Sequence, residues 1–397
     1  MNGNVRNNVL GSLARLLTEN KTGVVAANLT DVAACPPDDA VIVDRLKVDE
    51  AKVDKMIAAV QSVIAADDPV GKVISAHTRG DGLRIENRQV PFGTILIIFE
   101  ARPDVCIEAA IIALKAGNKI LLKGGKEARN TNLFLADLWQ RALAENVAAS
   151  DYVRYLDISR EDTRSLICGE TEKFDLVIPR GGASLIDFVL KNSGSPVIVS
   201  GRGNNFLFID SEADFEMALA IAVDGKKRLS VCNALDKILI HDDLPDLEEK
   251  TQRLIDALRG QKIEVFGDDR VRVHSLDKAV SPVADDNIWY EEFLSAKVVI
   301  GTVKDLSQAI EMINKYSGGH SASIITTNTE TAQRFLDEVD CAAVYHNASV
   351  RFTDGGEFGL GAEIAISTQK LHFRGPLGTE HLLTNKWFVF GDGQVRG

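Results

Sequence analysis

The feature that most constrains this chain is an alternation, run through twice, of short apolar segments rich in β-branched residues with amphipathic helical patterns. Ile95 to Phe99 is such a segment, followed by a helical pattern from Cys106 to Ala116, a stop at Gly117 and a second apolar segment at Lys119 to Leu122. The alternation continues through Asp175 to Ile178, a helix from Ser184 to Lys191, Pro196 to Val199 and Phe206 to Ile209. Strands that are apolar on both faces and separated by helices predict a mostly parallel sheet covered on both sides. A second series starts at Val231. It runs through Lys237 to Ile240, a helix from Leu247 to Leu258, Ile263 to Phe266, Lys297 to Ile300, a helix from Leu306 to Lys315, Ser323 to Ile325, a helix from Thr329 to Val339, and Ala342 to Tyr345. This predicts a second α/β domain with its boundary near Lys227, and 397 residues suit two or three domains.

Outside the two series, the stretch through Ala66 carries amphipathic helical patterns such as Val9, Leu10, Leu13, Leu16, Leu17 and Val53, Ile57, Val60, Ile64. Gly82 to Val90 alternates apolar with charged or polar side chains, as a strand exposed on one face would, and Pro91-Phe-Gly93 ends it. The tail from Asn385 to Arg396 is strand-like and apolar at a chain end. With no partner nearby in sequence, it is expected to pair with another edge, the Leu83 to Val90 arm of a partner subunit being the candidate.

The formal charge of -12, from 57 acidic against 45 basic residues, argues against a non-specific polyanion binder, so anionic ligands must be met by local cations. The five cysteines, Cys35, Cys106, Cys168, Cys232 and Cys341, have no C-x-x-C spacing and are odd in number. Neither a zinc cage nor a disulfide framework is expected, and a reducing cytoplasm fits. No apolar run approaches the ~20 residues of a membrane helix, and the N-terminus has no apolar signal core.

Chemistry concentrates in a few places. Cys232, in Arg228-Leu-Ser-Val-Cys-Asn233, stands at the predicted domain boundary where a strand-like segment begins. A thiolate there could attack a carbonyl carbon, whereas a small buried apolar residue is the plainer reading of a lone cysteine. Two strands run into glycine turns flanked by cations, Lys123-Gly-Gly-Lys-Glu127 and Pro179-Arg-Gly-Gly-Ala183. Each is either a phosphate cradle or an ordinary turn, and their recurrence in one sheet favours a nucleotide. Arg102, in Glu100-Ala-Arg-Pro-Asp104, lies at the C-terminal end of a buried strand as a ligand clamp or an ion pair. The glycine- and amide-rich segment from Asn347 to Glu363 could wrap a ligand with Arg351 as clamp, or serve as a hinge. His320 reads as a solvated turn residue, and no histidine has metal-ligand spacing.

These residues bring a resemblance with them. Val90-Pro-Phe-Gly93, Phe99-Glu-Ala-Arg-Pro-Asp104, Lys123-Gly-Gly-Lys-Glu-Ala128, Ile178-Pro-Arg-Gly-Gly-Ala183, Val231-Cys-Asn233, Arg351 to Glu363, Ser367 to His372 and Arg374-Gly-Pro376 are similar nearly end to end to one family. The chain resembles the gamma-glutamyl phosphate reductases (glutamate-5-semialdehyde dehydrogenases), a proline-biosynthesis branch of the aldehyde dehydrogenase superfamily. The resemblance implies two Rossmann-type doubly wound parallel-sheet domains, with a β-arm and a C-terminal strand for oligomerisation. The expected division is an NADP-binding domain over 1–228 with its arm at about 75–92, a catalytic domain over 229–355, and a return to the cofactor domain with the terminal strand over 356–397.

By the same resemblance Cys232 is the nucleophile, and Lys123, Lys126, Arg180, Gly181, Gly182 and Glu292 are cofactor residues. NAD-preferring members carry an acidic residue where Lys126 stands, which implies NADPH. Arg102, Asn347 and Arg351 are candidates for the anionic ends of L-glutamyl 5-phosphate. No metal, nucleic acid or membrane is implied. A homo-oligomer, dimer or tetramer, is expected, with glutamate kinase as a possible supplier of a labile substrate. Departures from the family are His320-Ser-Ala322, which lacks a carboxylate, Gly201 to Asn205, a shorter N-terminal region, and Leu235-Asp-Lys237, where Glu-Thr is common. These bear on substrate recognition more than on chemistry. They leave room for a related acyl-phosphate or aldehyde dehydrogenase with another substrate, or for a catalytically silent nucleotide-binding protein of the same fold.

Overall fold

The structure is a computed structural model that describes residues 1–36, 40–273 and 280–396. It divides into two compact units: Met1–Val199 with Gly359–Ala365 and Leu377–Gly397, and Ser200–Phe358 with Ile366–Pro376.

In the first unit, helices Gly3–Glu19, Lys21–Ala34 and Glu50–Ala65 form as their apolar spacing dictates, with Val9, Leu10, Leu13, Leu16 and Leu17 buried. Asn2 and Asp49 cap two of them by accepting from Val5 N and Lys52 N. Six strands follow: β1 Val73–Thr78, β2 Arg84–Pro91, β3 Thr94–Phe99, β4 Lys119–Gly124, β5 Val153–Tyr155 and β6 Leu176–Arg180. The last four form a parallel sheet in the order β5-β4-β3-β6, with Ile95 opposite both Ile120 and Leu176. Helix Val105–Lys115 is apolar almost all round and buried to match. The glycine turns therefore leave the C-terminal ends of β4 and β6, on the ligand side of such a sheet.

The second unit holds a seven-stranded parallel sheet, made of β7 Asn205–Ile209, β8 Leu235–His241, β9 Glu264–Gly267, β10 Ser281–Pro282, β11 Lys297–Val303, β12 Ser321–Ile325 and β13 Ala343–His346. The order is β10-β9-β11-β8-β7-β12-β13. Helices Phe215–Gly225, Leu247–Gly260, Leu306–Tyr316 and Thr329–Glu338 carry the crossovers. Two apolar clusters, one around Ile238 and Ile300 and one around Phe206, Trp289 and Phe335, lie within this unit.

Two expectations are corrected. The division falls between Val199 and Ser200 instead of at 228/229, because β7 pairs with β8 (Phe206 opposite Lys237) and so belongs to the second sheet. Pro196 to Val199 meets β6 through an isolated bridge, Val177 to Val197, where a strand was expected.

The chain then passes through β14 Ala365–Ser367 and β15 Gly375–Leu377 and ends in β16 Leu383–Phe390. β16 pairs antiparallel with β2 of its own chain (Lys386 opposite Arg88), so the expected pairing with a partner's arm is replaced by an intrachain ladder, β1-β2-β16. Arg84 and Arg88 lie over the rings of Phe390 and Phe388 at 4.0 and 4.9 Å. Cation–π contact of this kind fixes the register of a strand that has little core to bury.

Candidate active site

Cys232 lies in the turn between helix Phe215–Gly225 and β8, half-buried and in no disulfide. Side chains from two neighbouring segments hold this turn. Asn205 Nδ2, at the start of β7, donates to Cys232 O and Ala234 O, both at 2.7 Å. Gly203 lies so close that a β-carbon on it would fall 1.7 Å from Cys232 O, so glycine is the residue that fits. The Gly203 amide donates to Glu292 Oε1 at 2.9 Å, which ties a carboxylate to the segment packed against the Cys232 turn.

The residue after Cys232 is fixed from the other side. Asn233 Nδ2 donates to Arg351 O at 2.9 Å and Thr353 O at 3.1 Å, and the Arg351 guanidinium donates back to Asn233 Oδ1. Burial draws the Arg351 pKa down, and the charge of Arg228 adds to that; Asp224, Asp354 and Cys232 act in the opposite direction. Arg351 thus sits within electrostatic range of the Cys232 sulfur.

Thr353 continues the network. Its hydroxyl meets Ser321 Oγ and Tyr345 OH, both at 2.7 Å, and Ser321 Oγ meets His320 Nδ1 at 2.8 Å. His320 is fully buried instead of solvated as its turn position had suggested, and burial lowers its pKa to about 4. Asn347, expected on the substrate, has both ends of its carboxamide engaged by the backbone of Thr326 at 3.0 Å. Its φ of 55° explains the choice of residue, since asparagine tolerates the left-handed region. It shapes the loop that presents Arg351.

In the first unit, the Lys123 ammonium donates to Gly124 O at 2.7 Å and is half-buried, with its pKa lowered chiefly by burial. Lys126 is exposed at the start of the short 3-10 turn Lys126–Ala128. Gly182 caps helix Ala183–Asn192, and its amide donates to Glu100 Oε2 at 2.9 Å; Gly181 packs on the same carboxylate. Arg180 Nη1 reaches the returning segment at Ile364 O, 2.9 Å away. Arg102 is half-buried in the turn before helix Val105–Lys115. Close to it in sequence, Glu108 has its pKa raised to about 8 by desolvation and then by Asp104 and Glu363, against Arg180 and Lys52. Sequence reasoning did not single out Glu108 or Thr353, and it read Gly203 and Asn205 only as part of a departure from the family at Gly201 to Asn205. A glycine and two consecutive amides just before a buried strand were the available signal.

Among the described residues no cluster of histidine, cysteine and carboxylate side chains could hold a metal ion, and no helix is long and apolar enough to cross a membrane.

This arrangement, a cysteine in a braced turn within the second parallel-sheet unit, agrees with the sequence profile of the aldehyde dehydrogenase family, which matches residues 4–273 and 280–361. The chain belongs to the aldehyde dehydrogenase family. It is 42% identical over 400 residues to the gamma-glutamyl phosphate reductase of Clostridium botulinum, covering 98% of this chain and 94% of that one. It is 39% identical over 399 residues to that of Dictyoglomus thermophilum, covering 100% and 95%. The crystal structure of gamma-glutamyl phosphate reductase from Thermotoga maritima superimposes with a TM-score of 0.90 at 40% identity, over 100% of this chain and 95% of that one. Within the family, the chain therefore stands among the gamma-glutamyl phosphate reductases.

Proposed function

We propose that the protein reduces L-glutamyl 5-phosphate to L-glutamate 5-semialdehyde and phosphate with NADPH, with Cys232 as nucleophile. The observation that carries this reading is the braced Cys232 turn with Arg351 beside it and no carboxylate in the abutting segment Ser200 to Asn204. Glu292, which does reach that segment, accepts the Gly203 amide. With no carboxylate of its own in that segment and Glu292 engaged by the Gly203 amide, a thioester on Cys232 is open to phosphate or hydride rather than to hydrolysis.

The Cys232 thiolate attacks the acyl carbon, a C–S bond forms, and the C–O bond to phosphate breaks with the electron pair leaving on phosphate. Arg351 and Arg102 meet the anionic ends of the substrate. Backbone N–H groups of the Cys232 turn hold the oxyanion, at about 3 kcal/mol per donor. When bound, NADPH supplies the hydride that converts the thioester to a thiohemiacetal. The thiohemiacetal oxyanion then re-forms the carbonyl as the C–S bond breaks, and the aldehyde leaves a thiolate behind. The cofactor's phosphates are matched by the turns at Gly181 and Gly182 and by Lys123 and Arg180, its nicotinamide ribose by Glu292, and the exposed Lys126 suits a 2′-phosphate. Glu100 must leave the Gly182 amide for an anion to take its place.

We place the enzyme in the cytoplasm as a homo-oligomer, with the exposed Val73, Ile74, Trp387 and Val389 of the β1-β2-β16 sheet covered by a second copy. Light scattering of Trp387→Asp should then show a smaller species; an unchanged mass refutes that surface. Glutamate kinase is the proposed source of the labile acyl phosphate, which a coupled assay with and without the kinase tests.

The test of the reaction runs it backwards. NADP reduction by glutamate-5-semialdehyde should require phosphate and vanish in Cys232→Ala. Activity indifferent to phosphate, or surviving the loss of the thiol, overturns the reading. Aspartyl and N-acetylglutamyl phosphates in the forward assay check the substrate, and preference for either one reassigns it.

A further inference from the structure

Lys237, near the start of β8, is fully buried, and its neighbours across the sheet are Phe206 on β7 and Val299 on β11. Placing an ammonium in such a row costs several kcal/mol relative to an apolar side chain. Its Nζ donates to Glu291 O at 2.8 Å and lies 4.0 Å from the centre of the Phe293 ring. The residue before it works on the same segment: Asp236 Oδ2 accepts the Phe293 amide at 2.8 Å, while Oδ1 pairs with the equally buried Lys226 at 3.1 Å.

The two consecutive charged residues of β8 therefore hold Glu291 and Phe293, and Glu292 is the residue between them. Glu292 in turn accepts the amide of Gly203, which has no room to move against Cys232 O. We infer that Lys237 is a positioning residue for the nucleophile, holding the Glu291–Phe293 segment so that Glu292 braces the turn that carries Cys232. The inference rests on the proposed role of Cys232.

The charged groups that act on Lys237 are Lys226, at the end of helix Phe215–Gly225, Asp236 on its own strand, and Glu291 and Glu292 on the clamped segment. Burial and then Lys226 bring its pKa down to about 8 against the three carboxylates. Above that pH the cation–π contact is lost and the bond to Glu291 weakens, so the brace loosens as pH rises through 8.

The test uses the full chain in the phosphate-dependent reverse assay. Lys237→Met should lower kcat about 10-fold, as a small displacement of a reacting group does, with KM for aldehyde and phosphate within about twofold of wild type. Its iodoacetamide labelling rate at Cys232 should change, its melting temperature should not fall, and the inflection of kcat near pH 8 should disappear. Lys237→Arg keeps the charge at all accessible pH values; it should retain more kcat than the Met variant and also lose the inflection. A Met variant with wild-type kcat, labelling and pH profile overturns the inference. So does an Arg variant that keeps the inflection, which decides the matter if the Met variant fails to fold. Activity surviving in Cys232→Ala would instead sink the nucleophile reading, whatever Lys237 does.

Discussion

At the scale of single residues, the Cys232 turn depends on what has no side chain beside it. Gly203 gives up a β-carbon so that its backbone can lie against Cys232 O, and Asn205 then holds that carbonyl. Gly203→Ala must push the turn back by more than 1 Å, since no real β-carbon sits 1.7 Å from an oxygen. A displacement of about 1 Å at a reacting group reduces turnover by roughly 100-fold. The expected outcome is a kcat reduced on that order with NADPH affinity, read by fluorescence titration, close to wild type. An alanine variant with full kcat would show that the turn relaxes without moving the sulfur. None of this was visible in sequence, where Gly201-Arg-Gly203 read as a turn that departs from its relatives.

At the scale of elements, the strands were legible because parallel strands buried on both faces leave continuous apolar runs, and the helices because their apolar residues repeat at three and four positions. Which sheet a strand joins was not legible, since β7 is as apolar as any strand in the first unit and only its pairing with β8 assigns it. The departures at Ala322 and Lys237 illustrate the same limit. They were read as touching substrate recognition, yet Ala322 is opposite Phe206, and Phe206 opposite Lys237, so both are buried in one row across β12, β7 and β8. The loop after β13 was legible as functional from its glycine and amide content, but the division of labour within it was not. Arg351 has the fork geometry that reads an anion and is locked to Asn233, whereas Asn347 serves Thr326. Arg351→Lys loses that planar fork. It should raise KM for phosphate in the reverse reaction about 10-fold or more, while Asn347→Ala should lower the melting temperature with a smaller effect on KM. The reverse pattern would return Asn347 to the substrate.

At the scale of the whole molecule, the pH dependence of stability follows from two desolvated groups that shift in opposite directions, the fully buried His320 and the half-buried Glu108. His320 titrates at about 4 in the fold against 6.5 when exposed, because burial disfavours its charged form. The unfolded chain binds more protons between those values. Its contribution is therefore present above pH 6.5 and is lost as pH falls through 4, a swing of about 3 kcal/mol. Glu108 does the reverse: its pKa is raised from 4.5 to about 8, so its contribution is present below pH 4.5 and is lost as pH rises through 8. Between pH 4.5 and 6.5 the two slopes oppose each other, and the wild-type curve alone would hide both. His320→Leu, followed by denaturant unfolding against wild type from pH 7 to 4, should gain on wild type by about 3 kcal/mol as the pH falls. Glu108→Gln should gain on wild type as the pH rises from 4.5 to 8. The two residues lie in different units, and a chain of two units need not unfold in one step. Trp289, in the same unit as His320, is the fluorophore to follow for the first variant, and Trp139, in the unit of Glu108, for the second. A His320→Leu curve that runs parallel to wild type across the whole range would show that the imidazole is reached by water, and that the network from Thr353 to His320 is not sealed as its burial implies.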